Sequence, residues 1–390
     1  MLIRELTLRG ILSFGPDSAP LAMQPLNVLI GPNGSGKSNL LESIDLLRSA
    51  PKKLTAPMRG SAGSGVREWI WKGTKNGHAC VEAIVSYPTG QQPLRHRIEF
   101  AETAARFELL DEVIENQHAD PGHDDPFFFY RFQNGRPALS VRDGGRRQLQ
   151  REDVAADESI LSQRKDPDQY PELSYLANKY SDVRLYREWS FGRTSVFRSP
   201  QSADLPSDSL EEDFSNLGLF LNHLRGVPKA KKAILHHLRD LYAGLDDFDV
   251  RIKGGTVEVF LTERDFIMPA SRLSDGTLRY LCLLAILCDP TPPALVCIEE
   301  PELGLHPDML PKIADLLSEA SSRTQLIVTT HSDILVDAMT ETPECVVVIE
   351  KHDGKTECKR LEETDELKKW LEKYRLGQLW TRGEIGGTRW

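Results

Sequence analysis

Residues 31–38 read GPNGSGKS, and this stretch decides the fold. It follows the pattern G-x-x-x-x-G-K-[ST], in which a glycine-rich turn joins a strand to a helix. Residues 26–31 (LNVLIG) form an almost continuous apolar run, which is typical of a strand buried on both faces. Residues 37–50 carry leucine and isoleucine at helical spacing. The sequence therefore predicts a buried strand, a tight turn and an amphipathic helix.

The glycine-rich turn has the composition of a phosphate site. Glycines let backbone N–H groups close around phosphate oxygens, and the N-terminus of the following helix adds a favourable dipole. The residues expected to contact the ligand are Asn33, Gly34, Ser35, Gly36, Lys37, Ser38 and Asn39. Lys37 is expected to contact the β- and γ-phosphates, and the hydroxyl of Ser38 to ligate Mg²⁺. The predicted ligand is a magnesium nucleotide.

Two adjacent carboxylates, Glu299 and Glu300, follow a second apolar run at residues 294–298 (ALVCI). Because side chains alternate on a strand, the two should diverge, and a pair that shares one proton is not expected. Ligands in open α/β sheets lie at the carboxyl ends of strands. We expect Glu299 to hold Mg²⁺, directly or through a water, and Glu300 to orient and deprotonate an attacking water. The alternative is a solvated acidic turn.

Two further segments are candidates for the same site. Residues 325–332 (QLIVTTHS) form an apolar strand with His331 at its carboxyl end, where an imidazole could contact the γ-phosphate. Residues 273–288 (LSDGTLRYLCLLAILC) start an apolar helix, with Ser274 as its predicted N-cap. By itself this second segment indicates only the start of a helix.

The composition is that of an ordinary globular protein. The 390 residues are 40% hydrophobic and 27% charged, and the longest apolar runs fall far short of the roughly 20 residues that cross a bilayer. Six scattered cysteines form no CxxC pattern, and the first residues do not resemble an export signal, so a cytoplasmic location is expected. A formal net charge of −10 disfavours bulk nucleic-acid binding but leaves room for a local basic groove.

The order of the patterns predicts three segments. Residues 1–150 hold the phosphate turn and four alternating stretches typical of an antiparallel lobe. Residues 151–247 form a mostly helical insertion, in which the acidic residues 208–214 are expected to begin a helix. Residues 248–390 return to strands and, from Ser274, alternate helix and strand, which is the α/β signature.

Taken in order, the motifs resemble those of ABC-class ATPase heads, most closely the SMC and RecF-like branch. GPNGSGKSN resembles the Walker A motif, LSDGT the signature motif LSGGQ, ALVCIEEPE the Walker B motif with its glutamate, GLHP the D-loop and TTHS the H-loop. The spacing also fits, since 26 residues separate Ser274 from Glu300 and 31 separate Glu300 from His331. His306 and Pro307 then belong to the D-loop.

The resemblance implies a P-loop α/β head with a mixed sheet, an antiparallel lobe and a helical insertion. It also implies Mg²⁺-dependent ATP hydrolysis with Glu300, His331 and Lys37 as catalytic residues, and two heads that enclose two ATP molecules. Ser274 and Gly276 would contact the ATP of the partner head. Asp275 replaces the first glycine of the signature, and Glu299 the usual Walker B aspartate. The Q-loop glutamine is unplaced, and Gln91 and Gln133 are its candidates.

The resemblance leaves the biological role open among three classes. The first is a DNA-associated ATPase of repair or chromosome type, although long coiled-coil arms are missing from the pattern. The second is the ATPase subunit of a bacterial anti-phage defence or toxin–antitoxin system that controls a separate effector such as a nuclease. The third, a transporter ATPase, is disfavoured by the 236 residues between Ser38 and Ser274. Membrane binding is not expected.

Overall fold

The computed structural model describes residues 1–59, 65–73, 77–133, 136–140, 146–148, 155, 157–189, 192–241 and 244–387. The chain forms two compact units. The first comprises Met1–Val183, Glu344–Glu363 and Arg382–Trp390, and the second comprises Arg184–Pro343 and Thr364–Thr381. These units are defined by contacts in space, whereas the three predicted segments are ranges along the sequence. The division into three segments stays a prediction.

The first unit carries an antiparallel sheet with the strand order β2-β1-β4-β5-β6-β7-β8-β9. These strands are β1 (Ile3–Arg9), β2 (Leu21–Ala22), β4 (Ala79–Val85), β5 (Leu94–Thr103), β6 (Arg106–Asn116), β7 (Phe128–Gln133), β8 (Arg136–Ser140) and β9 (Arg146–Gln148). Along β5 every second residue is buried, because one face of the sheet packs on the core. The predicted antiparallel lobe is confirmed.

The phosphate turn of the first unit lies between β3 (Leu26–Ile30) and helix α1 (Lys37–Ser49). All five residues of β3 are buried, and it pairs in parallel with β17 (Val346–His352), which pairs antiparallel with β18 (Lys355–Arg360). The described residues of this unit also form helices α2 (Ile160–Gln163) and α3 (Pro171–Ser181). The predicted order of buried strand, turn and amphipathic helix is confirmed.

The second unit contains the parallel strands β10 (Arg184–Tyr186), β15 (Leu295–Glu299) and β16 (Gln325–Thr329), with β15 between the other two. Helices α6 (Asp275–Leu287), α7 (Leu310–Ser321) and α8 (Asp333–Asp337) alternate with these strands along the chain. The α/β alternation predicted from Ser274 is confirmed. Strand β10 was not recognised in the sequence, because three residues are too few to show a period.

A separate antiparallel sheet of the second unit has β13 at its centre. Its strands are β11 (Gln201–Ser202), β12 (Leu245–Lys253), β13 (Thr256–Glu263) and β14 (Phe266–Pro269). The remaining helices of this unit are α4 (Leu217–Arg225), α5 (Pro228–Leu241), α9 (Asp365–Leu371) and α10 (Leu376–Thr381). The described helices include none that is long and apolar enough to cross a membrane.

The prediction that residues 208–214 begin a helix is wrong. The helix α4 begins at Leu217, and the acidic stretch before it is irregular. The carboxylate of Glu212 accepts a hydrogen bond of 2.7 Å from the backbone N–H of Leu185, and Phe214 is buried with a φ of 60°. Asn216 ties the loop through its amide to Pro206 and Ser209. Glu212 therefore fastens this loop to β10, and the acidic stretch does not begin the helix.

Candidate active site

The turn at residues 31–38 has the backbone that a phosphate cradle requires. Gly31, Gly34 and Gly36 have φ values of 148°, 77° and 115°, which side chains other than glycine rarely adopt. A Cβ on Gly36 would lie 2.3 Å from the hydroxyl of Thr356, so only glycine fits there. The ammonium of Lys37 donates to the carbonyl oxygens of Gly31 (2.8 Å) and Pro32 (3.0 Å). Lys37 therefore lies over the turn, where the pattern puts a phosphate.

A chain of hydroxyl groups holds this turn from below. The Thr356 hydroxyl lies 2.6 Å from the carbonyl oxygen of Ser35, to which it donates, and 2.7 Å from the Ser13 hydroxyl. Ser13 also accepts a bond of 2.7 Å from the side-chain amide of Asn39. These groups connect β18 and the loop after β1 to the start of α1. The predicted ligand-contacting residue Asn39 thus also braces the turn.

In the second unit the carboxylate of Glu300 faces the imidazole of His331. Their closest atoms, Oε1 and Nε2, are 3.4 Å apart, and each side chain is 29% exposed. Glu300 follows β15 and His331 follows the neighbouring parallel strand β16, so both lie at the carboxyl edge of this sheet. A partly exposed carboxylate beside an imidazole is an arrangement that suits a general base.

The backbone of Glu300 is strained and held in place. Its φ is 49°, a left-handed conformation that costs a residue with a side chain about 1–3 kcal/mol. Its N–H donates to the carbonyl oxygen of Thr329 (3.0 Å), and its own carbonyl oxygen accepts from the guanidinium of Arg279 (2.5 Å). Arg279 is fully buried, and burial lowers its pKa to about 10. At neutral pH it therefore stays cationic.

Glu299 turns towards the other neighbouring strand. One of its carboxylate oxygens accepts a bond of 3.0 Å from Arg187, which follows β10, and its carbonyl oxygen accepts from the indole of Trp189 (2.9 Å). The guanidinium of Arg279 stacks 4.1 Å above the ring of Trp189. The two carboxylates therefore diverge, as predicted, but the cause is the left-handed backbone of Glu300 after the end of β15 and not strand alternation. Each glutamate has its carbonyl oxygen fixed by a side chain.

A third acid, Glu302, holds the histidine segment. Its Oε1 accepts hydrogen bonds from the hydroxyl of Thr330 (2.7 Å) and from the backbone N–H of His331 (2.8 Å). Its Oε2 is buried. Glu302 lies in the loop after β15, and Thr330 and His331 lie in the loop after β16. These hydrogen bonds therefore connect the two loops. Glu302 thus fixes the backbone that carries the imidazole.

Ser274 begins α6 as predicted. Its hydroxyl oxygen accepts from the backbone N–H of Thr277 (3.1 Å). A Cβ on Gly276 would lie 3.0 Å from the carbonyl oxygen of Gly304, so the helix start packs closely on the predicted D-loop. In that loop His306 caps a 3-10 turn, Pro307–Met309, and is exposed. Ser274 and the D-loop are therefore adjacent within one unit.

A protein-family model described as "AAA domain, putative AbiEii toxin, Type IV TA system" matches residues 26–337, which is most of the chain. The chain belongs to this AAA family. The matched residues include the glycine-rich turn, both glutamates and His331. No curated protein matches the sequence.

Solved structures give the fold of this AAA protein independently. An Smc head bound to the C-winged-helix domain of ScpA has 16% identity and a TM-score of 0.59, with 93% of this chain and 99% of that chain covered. An Smc head with an extended coiled coil, bound to the C-terminal domain of ScpA derived from Pyrococcus furiosus, has 15% identity and a TM-score of 0.59, with 95% and 99% covered. An Smc head with a coiled coil and joint derived from Pyrococcus yayanosii has 12% identity and a TM-score of 0.52, with 95% and 99% covered. The predicted α/β head fold with a mixed sheet is confirmed, and it is the fold of Smc heads.

The predicted site residues fall into two groups in the AAA chain. Asn33 to Asn39 belong to the first unit, and the second unit brings together Glu299, Glu300 and His331, with Ser274 and Gly276 at the start of α6. Of the two candidate Q-loop glutamines, Gln91 is exposed in the turn between β4 and β5, and the side chain of Gln133 lies outside the described residues.

Sequence reasoning missed the residues that hold the motifs in place, which are Ser13, Arg187, Trp189, Arg279, Glu302 and Thr356. Glu302 alone carried a local signal, because a third acid stands within four residues in IEEPE.

Proposed function

We propose that this AAA protein binds and hydrolyses Mg-ATP, with Glu300 as the general base. The observation that supports this most directly is the 3.4 Å approach of Glu300 to His331 on a backbone held by Arg279. Glu300 takes a proton from a water whose oxygen bonds to the γ-phosphorus, while the bond from phosphorus to the bridging oxygen of ADP breaks. His331 contacts the γ-phosphate and orients it for this attack.

The glycine-rich turn is proposed as the triphosphate site. The positive φ values at Gly31, Gly34 and Gly36 and the ammonium of Lys37 fit an anion, and α1 has no acidic residue in its first turn. Ser38 and Glu299 would hold Mg²⁺, which offsets negative charge on the phosphates when bound. No cluster of three or more His, Cys, Asp or Glu side chains is arranged for a metal in the described residues. Magnesium suits a site with only two protein ligands, since it keeps several waters and binds phosphate oxygens.

We further propose that two copies associate around ATP, with Ser274 and Gly276 of one copy contacting the nucleotide of the other. The Ser274 hydroxyl and the backbone at Gly276 lie at the N-terminus of the long helix α6, which favours an anion. Hydrolysis then separates the two copies. The cycle is thus an ATP-driven dimer switch.

Substitution of Glu300 by Gln tests the base and the switch together. Loss of the base is expected to slow hydrolysis by a factor of roughly 10² to 10⁴, while ATP still binds. The variant should accumulate as a dimer with Mg-ATP in size-exclusion chromatography, and Lys37→Ala should stay monomeric. Glu341→Gln, at an exposed position outside the motifs, is the matched control. Wild-type hydrolysis by Glu300→Gln would exclude this base, and a monomer with Mg-ATP would exclude the dimer switch.

The output of the switch is proposed to be control of a separate effector in a toxin–antitoxin or defence system. The description of the matching family, which names a type IV system, supports this class. Smc heads of this fold have been solved with domains of a partner protein, ScpA, so a head of this shape accepts a protein partner. A stable complex of Glu300→Gln with the product of a neighbouring gene would support this output.

The fold shared with Smc heads keeps a DNA-associated role of repair or chromosome type as the second candidate. This role predicts that DNA stimulates hydrolysis. The stimulation should weaken steeply as the salt concentration rises, because binding to DNA phosphates releases counterions. If Glu300→Gln purifies with no protein partner and DNA raises the wild-type rate, the second role replaces the first.

A further inference from the structure

In the segment LSDGT, Asp275 stands where the ABC signature motif LSGGQ has its first glycine. The side chain of Arg198 contacts this aspartate. Asp275 is one residue from Ser274, and its side chain is 45% exposed. The guanidinium of Arg198, which is only 14% exposed, donates to Asp275 Oδ1 at 2.5 Å. A carboxylate so close to a proposed phosphate contact is electrostatically unfavourable, because it repels the anion that Ser274 is to bind.

Arg198 contacts more than the carboxylate. It also donates to the carbonyl oxygens of Leu273 (2.6 Å), Ser271 (3.3 Å) and Gly192 (3.1 Å). The backbone N–H of Gly192 donates to the same oxygen of Asp275 at 3.3 Å. One side chain thus fixes both the charge and the backbone immediately before α6. The bond from Arg198 also lowers the pKa of Asp275, because it stabilises the ionised carboxylate.

We propose that Arg198 is a positioning residue of the signature segment, which neutralises Asp275 so that Ser274 can accept the triphosphate held by a second copy of the chain. This role rests on the dimer switch proposed above and adds a residue that no motif contains. It also gives a physical reason why the aspartate is compatible with an anion site. The pair Arg198–Asp275 leaves the segment with no net charge, as two glycines would.

The proposal makes the effect of Arg198 depend on Asp275. Arg198→Ala leaves a bare carboxylate beside Ser274, whereas Arg198→Ala with Asp275→Gly removes both charges. If Arg198 served only to fix the fold, removing Asp275 as well would bring no recovery. Arg198→Lys keeps the charge but not the planar donor set, so it should recover only part of the function.

The experiment measures the ATP concentration at which half of the protein is dimeric, with every variant made in the Glu300→Gln background. Arg198→Ala is expected to raise this concentration at least tenfold. The double variant with Asp275→Gly should return to within about threefold of Asp275→Gly alone. The deficit of Arg198→Ala should also shrink in about 0.5 M salt, because salt screens the repulsion at an exposed carboxylate.

The matched control is Arg225→Ala. Arg225 also pairs with an aspartate, Asp249, on the surface of the same unit, and it lies outside the proposed nucleotide contacts. Its loss should leave the half-saturating ATP concentration unchanged. Thermal melts establish that each variant is folded.

The proposal is overturned if Arg198→Ala dimerises like its parent, or if the double variant stays as impaired as Arg198→Ala. A parent Glu300→Gln protein that never dimerises would overturn the dimer switch itself, and this role with it. The two failures are distinguishable, because the parent is measured without any change at Arg198.

Discussion

Substitution of Glu302 tests whether the histidine loop must be held for hydrolysis. Glu302→Ala removes the acceptor of the two bonds to the Thr330 hydroxyl and the His331 N–H, of 2.7 and 2.8 Å. The loop after β16 then loses its connection to the loop after β15, and the imidazole can leave the position that faces Glu300. We expect slower turnover with ATP binding retained, since Lys37 and its turn are untouched.

The size of the effect follows from the two bonds. A hydrogen bond to a charged acceptor contributes roughly 1.5–3 kcal/mol, and the lower value suits a side chain that is only half-buried. Two such bonds amount to about 3 kcal/mol, or about a hundredfold in kcat if the position of His331 matters mainly in the transition state. Glu302→Gln keeps a neutral acceptor worth about 1 kcal/mol per bond, so its loss is about 1 kcal/mol, or roughly fivefold.

The assay is steady-state ATP hydrolysis, with nucleotide affinity measured separately by titration of a fluorescent ATP analogue. Glu341→Ala removes an exposed acid from the same unit and should match the wild type. A folded Glu302→Ala protein with kcat within twofold of the wild type would refute the reasoning. So would a loss of affinity as large as the loss of kcat, because the residue would then act on binding and not on the histidine.

Two further predictions concern other buried groups. Thr356→Val removes the hydroxyl below the glycine turn and leaves the buried Ser35 carbonyl oxygen unsatisfied, at a cost of about 1–3 kcal/mol. ATP affinity measured by titration should therefore fall roughly five- to hundredfold. Thr356→Ser keeps the hydroxyl and should retain the wild-type affinity. Burial raises the pKa of Asp289, so the folded state favours its protonated form, and this contribution to stability is lost as pH rises through the folded-state pKa. Asp289→Asn is neutral at every pH and should raise Tm at pH 7 but not at about pH 3 in thermal melts; an unchanged difference between the two pH values would contradict this.

The parts of the fold that were predictable are those that local sequence determines. The apolar run of β3, the glycines after it and the helical spacing of α1 are all contiguous, so the pattern and the structure coincide. The same holds for the alternation of helix and strand after Ser274. The roles of Lys37, Ser38, Glu299 and Glu300 rest on motif order and stay predictions.

The parts that escaped prediction depend on contacts between distant segments. Thr356 reaches Ser35 across 321 positions, and Arg187 reaches Glu299 across 112. Thr356 and Arg187 lie in none of the sequence motifs, so the sequence gives no reason to single them out. The acidic stretch at residues 208–214 misled for a related reason. Acids near the start of a helix stabilise it through the helix dipole. Here the carboxylate of Glu212 instead accepts a hydrogen bond from the backbone N–H of Leu185.

The segment from Arg187 to Arg198, whose described residues are 187–189 and 192–198, fastens two motifs of the second unit. At one end Arg187 and Trp189 hold the side chain and the carbonyl oxygen of Glu299. At the other end Arg198 holds the residues around Ser274. In the cycle proposed above, the first contact set serves hydrolysis and the second serves association, so this short segment outside every motif would connect the two steps. We then expect changes in this segment to alter the rate or the assembly while all of the motifs stay intact.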